Sequence, residues 1–272
     1  MSRTLYVSDL DGTLLLPSQV LSDFTAQTIN RLVAEGMLFS YATARSIVTA
    51  AVVTAGISVS IPIITNNGVF IKDNRSGKNI HANYFSPEEA REICSAHNKL
   101  GLYPIVYSQR PEGEKFTYCL HLINPETRAF LDTRRGDIRD NPIDEPERQC
   151  EGGVFYFRAT GDSVKLRGLY ERFKGRFYCV FIKDIYDNEY WLEIMPMAAS
   201  KANAVLELKR ILGCDRVVCF GDAENDIPMF HIADECYAME NAVPELKAIA
   251  TGVIGSNAED GVAKWLLENY KY

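Results

Sequence analysis

Patterned cysteine is the first thing this sequence lacks. Seven cysteines are scattered over 272 residues with no Cys-x-x-Cys pair. An odd, unpatterned set excludes a disulfide framework and a zinc ribbon, and it implies reduced thiols. The four histidines, 81, 97, 121 and 231, show no ligand spacing, so they are expected to be structural or exposed. No run approaches the roughly 18 apolar residues of a spanning helix. Asp9 and Asp11 break the first apolar stretch, which excludes a signal peptide there. Positive charge is also short. Lys and Arg number 29 against 36 Asp and Glu, for a net charge of -7. Such a surface repels nucleic acid and anionic membrane, so neither is expected as a partner. Low-complexity segments are absent. What remains is a cytoplasmic globular chain, 47% hydrophobic and 24% charged, long enough for one large domain or two small ones.

Strand and helix alternate at first. Leu5-Tyr6-Val7-Ser8 reads as a buried strand ending at Asp9. Ser22 caps a helix through Glu35, with Phe24, Ile29, Leu32 and Val33 as its apolar stripe and Gly36 as its stop. Met37 to Ala42 is the next strand, Ser46 caps a helix ending at Gly56, and Pro62 to Thr65 is a strand that enters the turn Asn66-Asn67-Gly68. This order predicts a parallel sheet with right-handed crossovers. The pattern then changes. A hairpin at 69–73 and 79–83 leads to a helix at Ser86-Pro87, strands near 102–108 and 116–123, a helix at Asn124-Pro125, and a polar loop over 137–153. A strand at 154–159, a helix at 163–174 and strands at 177–183 and 190–195 follow. Two helix-strand-strand units of this kind predict a separate small α+β domain inserted into the first. Alternation returns with a helix capped by Ser200 and stopped by Gly213, and with a strand from Val217 to Phe220 that runs into Gly221-Asp222.

Ligand sites in open parallel sheets lie at the carboxyl ends of strands. Three predicted strands here end on useful groups: Asp9 and Asp11, then Thr43, then Asp222, while Lys201 opens a helix. Paired carboxylates beside a glycine suit Mg²⁺, which takes oxygen ligands together with phosphate and water. Asp9 and Asp222 can each offer one carboxylate oxygen. The metal offsets repulsion between a carboxylate nucleophile and an anionic phosphate, and aspartate is a competent covalent nucleophile for phosphoryl groups. Asp11 can protonate a leaving alkoxide and then activate water. Lys201 neutralises phosphoryl charge and the Thr43 hydroxyl donates a hydrogen bond to it. A calcium loop is the bland rival for the first motif. Counted from Asp9, its required glycine and terminal acid would fall on Leu14 and Val20, so it is excluded.

The set resembles the haloacid dehalogenase superfamily. Asp9-Leu10-Asp11-Gly12-Thr13-Leu14 resembles its first motif, Thr43 its second, Lys201 its third, and Gly221-Asp222-Ala223-Glu224-Asn225-Asp226 its fourth. The stretch between Thr43 and Lys201 is far longer than one crossover needs, as in the Cof-type branch with a class IIB cap. The resemblance implies a Rossmann-like α/β core over 1–83 and 189–272 and an α+β cap over 84–188 that closes over the site and chooses the substrate. It makes Asp9 the nucleophile and a metal ligand. Asp11 becomes the acid and base, and it lends a backbone carbonyl to Mg²⁺. Asp222 becomes a ligand, Asp226 a ligand or supporting partner, and Asn225 a phosphate contact. Asn67-Gly68 matches the Asn-Gly that the branch carries after its third strand. Thr43-Ala44-Arg45 stands where the family often has Thr-Gly-Arg, with Ala44 and Arg45 expected at the phosphate.

The implied activity is Mg²⁺-dependent hydrolysis of a small phosphorylated metabolite, by default a sugar phosphate, in a monomer or weak homodimer. Phosphotransfer of the phosphomutase kind and non-catalytic binding of a phosphorylated ligand are the rival readings. The pair Arg134-Arg135 and the aromatics Tyr156, Tyr178 and Phe181 read as solvated surface and strand core.

Overall fold

The computed structural model describes residues 3–183 and 190–270. The chain opens with β1 (Thr4–Ser8), α1 (Asp23–Ala34), β2 (Leu38–Tyr41), α2 (Ile47–Val53), β3 (Ile63–Thr65), β4 (Phe70–Lys72) and β5 (Asn79–Ala82). Next come α3 (Pro87–Asn98), β6 (Ile105–Arg110), β7 (Gly113–Cys119), α4 (Pro125–Asp132), β8 (Asp140–Ile143), β9 (Gly153–Gly161), α5 (Ser163–Phe173), β10 (Phe177–Lys183) and β11 (Tyr190–Pro196). The last part holds α6 (Lys201–Leu212), β12 (Arg216–Gly221), α7 (Ile227–Ile232), β13 (Glu235–Met239), α8 (Pro244–Ile249), β14 (Gly252–Ile254) and α9 (Gly261–Asn269). Two units result, Met1–Ala82 with Ala199–Tyr272, and Asn83–Ala198.

The first unit is built on a parallel sheet in the order β14-β13-β12-β1-β2. Its central strands are apolar runs because helices cover both faces. Leu5, Val7, Phe39, Tyr41, Val217, Cys219 and Phe220 are all buried. A bridge between Ala42 and Ile64 links β2 to β3, and β3, β4 and β5 form a small antiparallel sheet. Ser22 caps α1 by accepting from the Thr25 amide, 2.9 Å away. The buried side of α1 is Thr25, Thr28, Ile29 and Leu32. Phe24, expected in the stripe, is 44% exposed. Thr25 and Thr28 are buried on that face instead. The result that matters for function is that Asp9, Thr43 and Asp222 all follow the carboxyl ends of β1, β2 and β12.

The second unit holds a six-stranded sheet in the order β10-β11-β9-β6-β7-β8. The two predicted helix-strand-strand units are present as α3-β6-β7 and α5-β10-β11. The predicted loop at 137–153 is not all loop. Asp140–Ile143 forms β8, paired in parallel with β7. Its polar residues and Pro142 hid it, and both are tolerated because β8 lies at the sheet edge. The expected boundary between 188 and 189 lies outside the described residues. β11 belongs to the second unit because it pairs with both β9 and β10, so the chain returns to the first unit at Ala199. All seven cysteines are free thiols. Arg134 lies over the Phe130 ring at 3.5 Å, and Arg135 pairs with Asp132 on the surface.

His97 shows what the second core demands. It is fully buried on α3. Its Nδ1 is 2.8 Å from the Ile93 carbonyl oxygen, and its ring stacks on Phe157. Burial disfavours the charged ring and draws its pKa down from 6.5 to about 4. The folded state therefore binds fewer protons than the unfolded state between those values. Its stabilisation is complete above the unfolded value and is lost as pH falls towards the folded one. Denaturant unfolding should show His97→Leu losing about 2 kcal/mol less than the parent between about pH 7 and pH 5. Equal losses in the two proteins would remove His97 as the cause.

Candidate active site

The centre of the first unit's strand ends is a buried ionic triad. The Asp9 amide donates to the Phe220 carbonyl at 3.0 Å, which carries the β1–β12 ladder one residue past β1. Lys201, the first residue of α6, sends its Nζ to Asp9 Oδ1 at 2.8 Å and to Asp226 Oδ1 at 2.7 Å. The Lys201 and Asp226 side chains are 1% and 0% exposed. Asp226 Oδ2 accepts from the backbone amides of Asp222 at 3.0 Å and Ala223 at 3.2 Å. One carboxylate thus closes the turn after β12 and positions the ammonium. The turn after β3 touches the same helix start. Gly68 has φ +91°, and a Cβ there would come within 2.1 Å of the Ser200 carbonyl oxygen, so glycine is required.

Asp222 is placed by a second turn. Its Oδ1 accepts from the Thr13 hydroxyl at 2.7 Å. Gly12 has φ +76°, and a Cβ on it would stand 2.1 Å from Asp222 Oδ2. Only glycine permits this approach. Asn241 donates to the Gly12 carbonyl at 2.8 Å, which secures the turn from the opposite side. Thr13 and Asn241 were given no role by the sequence, because nothing in local spacing tells which hydroxyl meets a carboxylate, or which side-chain amide meets a backbone carbonyl, some two hundred residues away.

Carboxylate oxygens of Asp9, Asp222 and Asp226 lie within 4.8 Å of one another. The one ammonium is bonded to two of these three carboxylates, and Asp222 adds a third negative group beside them. Burial, opposed by Lys201 and reinforced by Asp226, pushes the Asp9 carboxyl up to about 7. Burial also pushes Asp222 up to about 6, against the Thr13 hydrogen bond. For Lys201, burial works against the charge but Asp226 and Asp9 outweigh it, so the ammonium is held above its ordinary value. Excess buried negative charge with oxygen donors and no thiolate or imidazole is what a hard divalent cation relieves. The donor set therefore fits Mg²⁺.

Thr43 is fully buried. Its amide donates to the Ile64 carbonyl at 3.1 Å, and its carbonyl accepts from the Asn67 amide at 2.9 Å. Asn67 takes the left-handed φ of 53° and accepts at Oδ1 from Asn225 Nδ2 at 3.3 Å. Thr43, Asn67 and Asn225 are thus one connected polar chain. Ala44 is exposed at the turn after Thr43. Asp11 and Arg45 behave otherwise. The Asp11 carboxylate stands apart from the acidic cluster and accepts from Arg45 Nε at 2.8 Å and Nη2 at 2.6 Å. Arg45, expected at the phosphate, is turned to that carboxylate.

The sequence matches the family of haloacid dehalogenase-like hydrolases over residues 6–266. It is 29% identical to a 5-amino-6-(5-phospho-D-ribitylamino)uracil phosphatase of Bacillus subtilis, over 95% of each chain. It is 25% identical to an HMP-PP phosphatase of Serratia proteamaculans, over 95% of this chain and 92% of that one. The structure resembles that of a subclass IIB sugar phosphatase of the same superfamily with a TM-score of 0.73 and 19% identity, over 98% of each chain. Among the described residues no helix is long and apolar enough to cross a membrane.

Removing the ammonium should leave two buried carboxylates uncompensated. Lys201→Met is expected to destabilise the fold by about 3–5 kcal/mol in denaturant melts. Adding Asp226→Asn to that variant should restore part of the loss, since the pair is coupled. A Lys201→Met protein as stable as the parent would show that the triad does not organise this region.

Proposed function

The chain belongs to the haloacid dehalogenase-like hydrolases, and from that footing we propose that it hydrolyses small phosphomonoesters through a phosphoryl group carried on Asp9. One observation carries the reading: a buried carboxylate at a strand end, Asp9, is held by the ammonium of Lys201 inside a cluster of acids. A carboxylate oxygen fixed this way has its partner oxygen oriented for attack.

In the first half-reaction an Asp9 oxygen forms a bond to phosphorus as the bond to the leaving oxygen breaks, and Asp11 gives its proton to that oxygen. In the second, water loses a proton to Asp11 and its oxygen attacks phosphorus. The acyl-phosphate bond breaks, its electron pair returns to Asp9, and inorganic phosphate leaves. Lys201 offsets the charge of the phosphoryl oxygens, and Thr43, Asn67, Asn225 and the Ala44 amide hydrogen-bond to them. Asp9 and Asp222 would hold Mg²⁺, together with the Asp11 backbone carbonyl that the family resemblance implies. Both Asp226 oxygens already accept hydrogen bonds, so its part is to hold Lys201 and the turn. When bound, the metal neutralises charge between a carboxylate nucleophile and an anionic substrate.

A phosphorylated small metabolite, such as a sugar phosphate, is the substrate class. The similar proteins named for a phosphoribityl pyrimidine and for sugar phosphates support that class without choosing within it. The inserted unit would make the choice.

Phosphate release from an aryl phosphate with Mg²⁺ tests the scheme. Asp9→Asn should lower it on the order of 10³-fold or more, and full activity in that variant would sink the proposal. Mg²⁺ must displace protons from Asp9, near 7, and Asp222, near 6. Its apparent affinity should therefore weaken as pH falls from about 8 to about 5.5. Calorimetric titration with the metal alone reads this, and a flat profile would speak against these two carboxylates as its ligands.

A further inference from the structure

Arg45 spends its charge in a way that the proposed reaction leaves unexplained. Its guanidinium grips Asp11 with both prongs, Nε to Oδ2 at 2.8 Å and Nη2 to Oδ1 at 2.6 Å. Nη2 also donates to Gln19 Oε1 at 3.0 Å. The root of the side chain is fixed as well. The Arg45 amide donates to the Thr43 hydroxyl oxygen at 3.1 Å, and its carbonyl accepts from the Asn66 amide at 2.9 Å. Gln19 adopts a left-handed φ of 60°, an uncommon conformation for a side chain of its size. The Asp11 side chain is 44% exposed, so packing does little to fix its rotation.

We propose that Arg45 is a positioning residue for Asp11, and that Gln19 is the acceptor that lets it keep this role through both half-reactions. The idea rests on the phosphohydrolase reading above. A planar fork fixes a carboxyl group in rotation as well as in place. Nη2 carries two hydrogens, one for Asp11 Oδ1 and one for Gln19. When Oδ1 holds the proton destined for the leaving oxygen, Nη2 gives up only that bond. The Nε–Oδ2 bond and the Gln19 bond remain, so the acid stays aimed. When Oδ1 returns as the acceptor of water's proton, the second prong closes again. Phosphate binding in this scheme falls to Lys201, Thr43, the Ala44 amide and the two asparagines, and Arg45 takes no part in it.

Leaving-group dependence separates the two roles of an arginine here. An alkyl phosphate needs its leaving oxygen protonated, whereas the para-nitrophenolate released from para-nitrophenyl phosphate leaves unaided. Arg45→Gln and Arg45→Lys should each lose about tenfold more kcat on glycerol phosphate, or whichever alkyl phosphate the parent hydrolyses, than on the aryl ester. Inhibition by inorganic phosphate should be unchanged within about twofold. Gln19→Leu should lose less, in the same direction. On an Asp11→Asn background, Arg45→Gln should cost almost nothing further. Equal losses on both esters with weaker phosphate inhibition would make Arg45 a phosphate contact and overturn the proposal. So would full activity in both variants, or additive losses with Asp11→Asn. A parent protein that releases phosphate from neither ester, or an Asp9→Asn variant that still does, marks failure of the underlying reading instead. Arg45 is on a turn at the strand ends, and thermal melts of both variants check that the fold is intact.

Discussion

One ammonium between two carboxylates sets the terms for the first unit. Asp9, Lys201 and Asp226 are almost wholly removed from water, and an isolated ion so placed costs several kcal/mol. No member of the triad is tolerable without the others. The geometry that satisfies all three also fixes three separate pieces of chain. Asp9 binds the end of β1, Lys201 the start of α6, and Asp226 the turn after β12. Asp226 does this with one oxygen on the ammonium and the other on two backbone amides. The arrangement still leaves negative charge in excess once Asp222 is counted. That residual charge makes the place receptive to a divalent cation.

Around the triad, function follows from how closely backbone can pass side chain. The turn after β1 brings Gly12 against Asp222, and the turn after β3 brings Gly68 against the cap of α6. Each contact joins a loop near one end of the chain to an element near the other. The carboxyl ends of β1, β3 and β12 and the start of α6 are thereby held in a fixed relation that the sheet alone would leave to flexible loops.

Much of this was legible in the residues. Serine and asparagine caps read as helix starts at Ser22, Ser46, Ser86, Asn124 and Ser200, and each accepts the amide three residues on. Buried parallel strands read as apolar runs at Leu5–Val7 and Val217–Phe220. The strand-end acids were legible because their chemistry and their order along the chain agree. β8 was not, since an edge strand can carry proline and polar residues without penalty. β13, β14 and α9 were not, because short elements with mixed patterns give no clean period. Arg45 reads as a phosphate contact because Thr43-Ala44-Arg45 stands where the family often has Thr-Gly-Arg. Which anion claims a guanidinium is decided by three-dimensional nearness to a carboxylate 34 residues earlier, and local spacing carries no trace of it.

The triad joins residues 192 positions apart, and this bears on how the chain is made. A ribosome presents β1 and Asp9 long before it presents Lys201. Until then Asp9 has no ammonium to accompany it into a dry interior, and β1 lacks its neighbour β12. The central sheet of the first unit therefore has to wait, with Asp9 still hydrated, while the whole of 83–198 is synthesised. That inserted unit has its own sheet and its own core, so it can fold as a domain during the wait. The first unit closes late and over long sequence separation, a slow step by its topology. The charge balance of the triad thus also acts as a timer, keeping the strand that carries Asp9 out of the core until the last third of the chain has arrived.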